Sequence, residues 1–189
     1  MNKILVISTL PPNDAETHSF IFEINAQHTD LLILHTEHYG ISHCIGCTHC
    51  WLKTPGICSI KDGYEQIFKS FLKADTVILL TEAKLGFISY KMKNIVDRLL
   101  PMAVPYTRFY NGEARHVGRY KKGWNIGLVY SGDGDKLYLN EWMGRFALNF
   151  HSKSLGAYHI KESEAILHEI SHIQLLSAPG EQQQHGSNC

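Results

Sequence analysis

The 189-residue chain lacks a charge excess of either sign, since 18 lysines and arginines balance 18 aspartates and glutamates. Without a net field to gather nucleic acid or anionic lipid, no nucleic-acid partner and no membrane partner is expected. It also lacks any apolar run near the ~20 residues that a membrane span needs. Met1-Asn2-Lys3 leads straight into a strand-like segment rather than a signal peptide. No internal repeat occurs, and no H-x-x-E-H or similar zinc pattern links the 12 histidines. His35, His38, His43 and His49 are therefore read as surface or satisfied side chains. Cysteines are few, five in all, but four of them fall within fifteen positions. These absences leave a cytoplasmic protein as the expectation.

What is present is enough to fold. With 44% hydrophobic and 19% charged residues the chain is neither disordered nor fibrous. Its length suits one domain over residues 1–178, followed by a polar, Gln-rich tail at 179–189.

Segment 3–8 (KILVIS) is a short β-branched run of the kind buried on both faces of a parallel sheet. Similar runs follow at 31–35, 76–81, 124–130 and 154–160. Between them lie helical patterns. The first runs over about 20–26, with Ser19 as its cap. The next is capped by Asp62 and carries Tyr64, Ile67, Phe68, Phe71 and Leu72 at helical spacing. Another is capped by Ser89, carries Met92, Ile95, Val96, Leu99 and Leu100, and is ended by Pro101. A last one carries Leu139, Trp142, Met143, Phe146 and Ala147. Strands alternating with such helices mean βαβ units, hence an α/β, doubly wound, flavodoxin-like five-stranded parallel sheet with helices on both faces. In that architecture ligands sit at the carboxyl ends of the strands, near the topological switch point.

The densest chemical signal is Cys44, Cys47 and Cys50, followed by Cys58 after seven residues. Thiolates at C-x2-C-x2-C with a more distant fourth cysteine can hold an iron–sulfur cube. A four-cysteine zinc site is a second reading, although zinc usually separates two C-x2-C pairs by more. A loop of reduced, metal-free thiols is the third. Spacing alone leaves open whether Cys44, Cys47, Cys50 and Cys58 hold a 4Fe–4S cluster or stay metal-free.

The stretch 44–62, CIGCTHCWLKTPGICSIKD, resembles a hallmark of the flavodoxin-like NAD(P)H-dependent FMN oxidoreductases and their iron–sulfur flavoprotein relatives. So does Thr81…Gly86…Ser89…Lys93…Asp97-Arg98…Pro101, and Asn111-Gly112-Glu113…His116…Arg119-Tyr120 is similar to a segment of one branch. The resemblance covers about residues 3–160. It implies FMN as cofactor, NAD(P)H as electron donor and a small-molecule acceptor such as a quinone or a nitro- or azo-compound. An iron–sulfur flavoprotein that only carries electrons, or a relative that has lost FMN, are the alternatives. Trp51 and Lys53-Thr54-Pro55-Gly56 resemble the branch without a cluster, so the resemblance implies metal-free Cys44, Cys47, Cys50 and Cys58, with a 4Fe–4S cluster as the alternative.

The resemblance also implies the cofactor-binding residues. Thr9, Leu10, Pro11, Thr17, His18 and Ser19 fall on the phosphate loop, whose family Arg and Gly are missing here, with Asp14 and Glu16 in the neighbourhood instead. Glu82, Ala83, Lys84, Leu85 and Gly86 fall under the flavin ring, with Glu82 and Lys84 replacing a Pro and a Tyr. Ser131 and Gly132 form a third wall. Lys121, Lys122, Arg115 and Arg119 make a local basic patch, read as a solvated face. The aromatic-rich connection with Tyr106, Phe109, Tyr110 and Tyr120 implies a homodimer or homotetramer that buries it.

Overall fold

The computed structural model describes residues 2–110 and 112–177, with the side chains of residue 110 and of residues 174–177 left aside. Asn111, the side chain of Tyr110 and the expected polar tail at 179–189 therefore lie outside the described residues.

Five strands pair in parallel: β1 (Ile4–Ser8), β2 (Leu31–His35), β3 (Thr76–Ile88), β6 (Asn125–Gly134) and β7 (Lys153–His159), in the order β2-β1-β3-β6-β7. With the inserted hairpin β4 (Ala103–Tyr110) and β5 (Glu113–Gly118) set aside, this is the 2-1-3-4-5 order of the flavodoxin-like sheet. The register begins Ile4↔Leu31 and Ile4↔Thr76 on the two flanks of β1.

Alternation along the strands explains the layers. Leu5, Ile7, Val77, Leu79, Ile126 and Leu128 point to one face, where Tyr64, Ile67 and Phe71 of α3 (Tyr64–Lys73), Met92 and Ile95 of α4 (Tyr90–Asp97) and Met143 of α5 (Lys136–Asn149) cover them. Ile4, Val6, Ile78, Leu80 and Val129 point to the other, beneath Phe20 and Ile24 of α1 (Ala15–Gln27) and Ile166 and Ile170 of α6 (Ser163–Ser177). All five positions of β1 are buried, which is why its sequence reads as an unbroken apolar run. Each such side chain stabilises the fold by roughly 1.5–3 kcal/mol. Among the described residues, no helix is long and apolar enough to cross a membrane.

Several boundaries differ from the sequence expectation, each for a local reason. α1 starts at Ala15, not near residue 20, because the Asp14 carboxylate accepts from the Thr17 amide at 2.9 Å and caps the helix. Ser19 is therefore inside α1 and not its cap. Gly63 occupies the cap position of α3, while Asp62 one residue earlier accepts from the Tyr64 amide at 3.1 Å. α4 stops at Asp97, and Pro101 sits in a separate 3₁₀ turn, Leu100–Met102. The stretches 82–88 and 131–134 are not loops. They prolong β3 and β6, pairing Glu82↔Ser131, Ala83↔Gly132 and Gly86↔Gly134 across a bulge at residues 84–85. α6 was not expected at all, although Ile166 and Ile170 at i, i+4 carry its buried stripe. α2 (His49–Leu52) is one turn inside the cysteine loop.

Candidate functional site

A cleft of ≈ 500 Å³ opens at the carboxyl ends of β1, β3 and β6 and is lined by Thr9, Leu10, Pro11, Asp14, Glu16, Glu82, Lys84, Ile88, Ser89, Tyr90, Lys91 and Ser131. That is the switch point between β1 and β3, and the volume lies in the range of small-molecule sites. Three segments distant in sequence supply it, and six of the thirteen residues expected around a cofactor line it directly.

The floor is a row of hydroxyls. Thr9 Oγ1 donates to Thr81 Oγ1 at 2.8 Å, and Thr81 Oγ1 shares a hydrogen bond with Ser89 Oγ at 2.9 Å. Ser89 also caps α4 by accepting from the Met92 amide. The upper wall is the bulged end of β3. Its ladder passes over Lys84 and Leu85, and Leu85 adopts φ +51° with its side chain 98% exposed. Gly132, at φ +83°, allows β6 to approach, for a Cβ there would stand 2.7 Å from the Ala83 carbonyl oxygen. Glu82 and Lys84 pair at 3.1 Å.

The remaining expected residues fall elsewhere. Ala83 is buried in the ladder against Gly132, and Gly86 pairs with Gly134. Thr17 is buried and its hydroxyl donates to Asp14 at 2.9 Å. His18 and Ser19 are exposed along α1, where the Ser19 hydroxyl binds Glu23 at 3.2 Å. The phosphate loop of the sequence reading is thus half cleft and half helix. None of Thr9, Thr17 and Ser19 offers a phosphate a free hydroxyl, because each already donates within the protein.

Asp14 reinforces this. The amide and hydroxyl of Thr17 hold its carboxyl below the ordinary aspartate range. It is an anion standing where helix-bound phosphates usually accept. Glu16 lies in the same first turn, 3.5 Å from Lys161.

The second focus is the cysteine loop and the arginine beneath it. Arg98 is 2% exposed and is the largest fully buried side chain. Its Nη1 donates to Asp62 Oδ2 at 2.6 Å and to the Ser42 carbonyl at 3.1 Å. Its Nη2 donates to the Ile60 carbonyl at 3.3 Å and to Cys58 Sγ at 3.5 Å. The guanidinium stacks over the Tyr64 ring, 4.3 Å from its centre. One side chain thus closes both ends of the loop. Partial burial pushes the Asp62 carboxyl up. Hydrogen bonds from Arg98 and from the Ser42 and Tyr64 amides, with the arginine's charge, outweigh this and hold it below the usual range.

The four thiols are unbridged. Cys47 shares a hydrogen bond with the Ser59 hydroxyl at 3.3 Å, and this bond above all lowers its pKa. Burial and then the neighbouring thiols push Cys50 up. Among the described residues, no three His, Cys, Asp or Glu side chains are placed to hold a metal ion. The hairpin is tied to this loop. Trp51 Nε1 donates to the Leu100 carbonyl at 3.0 Å, and its ring lies 5.0 Å from that of His116. Arg119 Nε donates to the Pro101 carbonyl at 2.9 Å. The basic patch does not form as a free surface. Lys122 pairs with Asp75 at 2.8 Å, and Arg115 is held by Glu113 and Asn149.

An iron–sulfur flavoprotein from Archaeoglobus fulgidus is 33% identical over 101 residues, covering 51% of this chain and 48% of that protein. Over those residues the chain is similar to an iron–sulfur flavoprotein. A second, from Methanocaldococcus jannaschii, is 33% identical over 84 residues, covering 44% of this chain and 42% of that one. The match thus spans about half the length of the first relative and less of the second. No family model matches. Among solved structures, an azoreductase from Bacillus anthracis superposes with a TM-score of 0.57 at 13% identity, covering 92% of this chain and 98% of that one. At that identity the likeness is one of fold, and it agrees with the flavodoxin-like strand order.

Proposed function

We propose that the protein is an FMN-dependent NAD(P)H oxidoreductase, passing electrons from a nicotinamide to a quinone, a nitro- or azo-compound, or another small acceptor. The observation that carries this reading is the convergence of Thr9–Pro11, Glu82 and Lys84, and Ser131 on one cleft at the switch point of the sheet. The flavin comes from the names of the sequence relatives and the acceptor class from that of the azoreductase. A bound flavin supplies hydride acceptance from the nicotinamide and electron delivery to the acceptor. The chain's own contribution is to fix the ring: the Thr9–Thr81–Ser89 row holds β1, β3 and α4 together, and Gly132 lets β6 close on β3.

The same reading includes a cytoplasmic location, where unbridged cysteines persist. It also includes a homodimer or homotetramer, because Tyr106 and Phe109 stand 75% and 83% exposed on β4. The four cysteines are proposed to be metal-free thiols. An electron-carrying iron–sulfur protein is the second reading, favoured by the names of both relatives.

One anaerobic preparation tests these points together. With FMN added, the protein should quench flavin fluorescence, and NADH or NADPH should bleach the bound flavin. Sedimentation should give a mass of two or four chains. Iron and acid-labile sulfide should be absent, whereas about four irons per chain would establish the cluster instead. A protein that binds no FMN at saturation would end the oxidoreductase reading.

A further inference from the structure

We infer that the cleft recognises the flavin ring and not the charged end of its side chain, so that riboflavin binds at least as well as FMN, with Asp14 as the residue that sets this specificity. The inference rests on the flavin reading above and goes beyond it by naming which part of the ligand carries the affinity.

A 5′-phosphate gains affinity in a flavodoxin-like cleft by three routes: free hydroxyls, a helix amino terminus and a cation. In this chain the hydroxyls are committed. Thr9 donates to Thr81 at 2.8 Å, Thr17 to Asp14 at 2.9 Å, and Ser19 to Glu23 at 3.2 Å. At the amino terminus of α1 the Thr17 amide is committed as well, because Asp14 Oδ2 accepts from it at 2.9 Å. That carboxylate does for the helix what a phosphate oxygen would do, and it carries the same sign of charge. A dianion brought to this place gains no unfilled donor from Thr9, Thr17 or Ser19 and meets a like charge.

The surrounding charges do not reverse this. Glu16 and Glu82 line the cleft beside Asp14. Glu16 lies 3.5 Å from Lys161 and Glu82 lies 3.1 Å from Lys84, so neither lysine is an unengaged cation. Lys91, on the first turn of α4, is the remaining cation of the lining. With Glu16 and Glu82 paired, the Asp14 carboxylate is the lining charge left to balance it. The ring end has no such conflict, since its walls are the backbone of the β3 bulge, the Gly132 approach and the apolar surface of Leu10 and Ile88.

The test is a pair of fluorescence titrations, riboflavin and FMN, on the full chain and on Asp14→Asn. Asparagine keeps an acceptor for the Thr17 amide and removes the charge, and an unchanged melting temperature verifies that α1 remains capped. For the natural chain, riboflavin is expected to bind as tightly as FMN or more tightly. In Asp14→Asn, FMN is expected to tighten by about tenfold, the scale of one like-charge contact near a protein surface, while riboflavin stays unchanged. FMN binding more tightly than riboflavin to the natural chain, or a riboflavin-to-FMN ratio that Asp14→Asn leaves unmoved, would overturn the inference and leave the flavin reading standing. If neither flavin binds, both fall.

Discussion

Replacing Arg98 with methionine is expected to lower the unfolding free energy by about 3–5 kcal/mol, the usual consequence of breaking a buried charge pair from one side. The substitution strips Asp62 of its 2.6 Å partner and frees the Ser42 and Ile60 carbonyls at the two ends of the cysteine loop. Methionine fills much of the volume, so the loss reports the lost charge and hydrogen bonds rather than a void. Urea unfolding measures it. Arg98→Lys should be intermediate, since an ammonium replaces the charge but cannot span the four acceptors that the guanidinium reaches.

The pH dependence has a definite sign. The folded-state pKa of Asp62 is held below its ordinary value, so its stabilising contribution is complete above the ordinary aspartate pKa and is lost as pH falls through the lowered one. Without Arg98, burial is opposed only by the Ser42 and Tyr64 amide hydrogen bonds, and the carboxyl titrates higher than in the natural chain. The stability gap between the two proteins should therefore narrow on acidification below about pH 4. A loss under about 1 kcal/mol at neutral pH, typical of a surface change, would show that Arg98 does not organise the loop.

Gly132→Ala is the second large effect. The new Cβ would stand 2.7 Å from the Ala83 carbonyl oxygen, and the φ of +83° is one that alanine adopts only under strain. The expected cost is about 1–3 kcal/mol. Because the same contact sets the spacing of β3 and β6 under the cleft, flavin binding should weaken about tenfold or more, the equivalent of 1.4 kcal/mol or above. Gly144→Ala is the matched control: it lies within α5 with nothing within 4 Å of its Cβ, and it should stabilise the helix by about 0.5–1 kcal/mol. A Gly132→Ala protein that binds flavin like the natural chain would show that the β3–β6 approach is not part of the site.

The sheet was legible in the sequence because parallel strands buried on both faces leave unbroken apolar runs, as in β1 with Ile4, Leu5, Val6 and Ile7. The helices α3 and α4 were legible because one face of each is covered, leaving the stripe of Tyr64, Ile67, Phe68 and Phe71 and that of Met92 and Ile95. The extensions of β3 and β6 were not. Their residues, Glu82 to Gly86 and Ser131 to Gly134, are mostly polar or glycine, and only their mutual pairing makes them strands. The start of α1 was misplaced because Ser19 and Asp14 are both good cap residues, and the choice is made by where Phe20 and Ile24 meet the second core. Arg98 was read as one letter of a motif. Nothing in the local sequence says that a guanidinium belongs beneath the cysteine loop, since its partners lie 36 to 56 residues away.

The hydroxyl row on the cleft floor also bears on how the chain reaches its final form. Thr9 and Thr81 meet across 72 residues, and the facing wall arrives with Ser131, later still. Closing contacts of such long sequence separation is slow, because chain entropy is lost before any contact repays it. During synthesis the first strand, helix and cysteine loop emerge with nowhere to build the cleft until β6 has joined β3. The cleft is therefore a late product of folding, completed when β6 joins β3 rather than nucleated at the first loop.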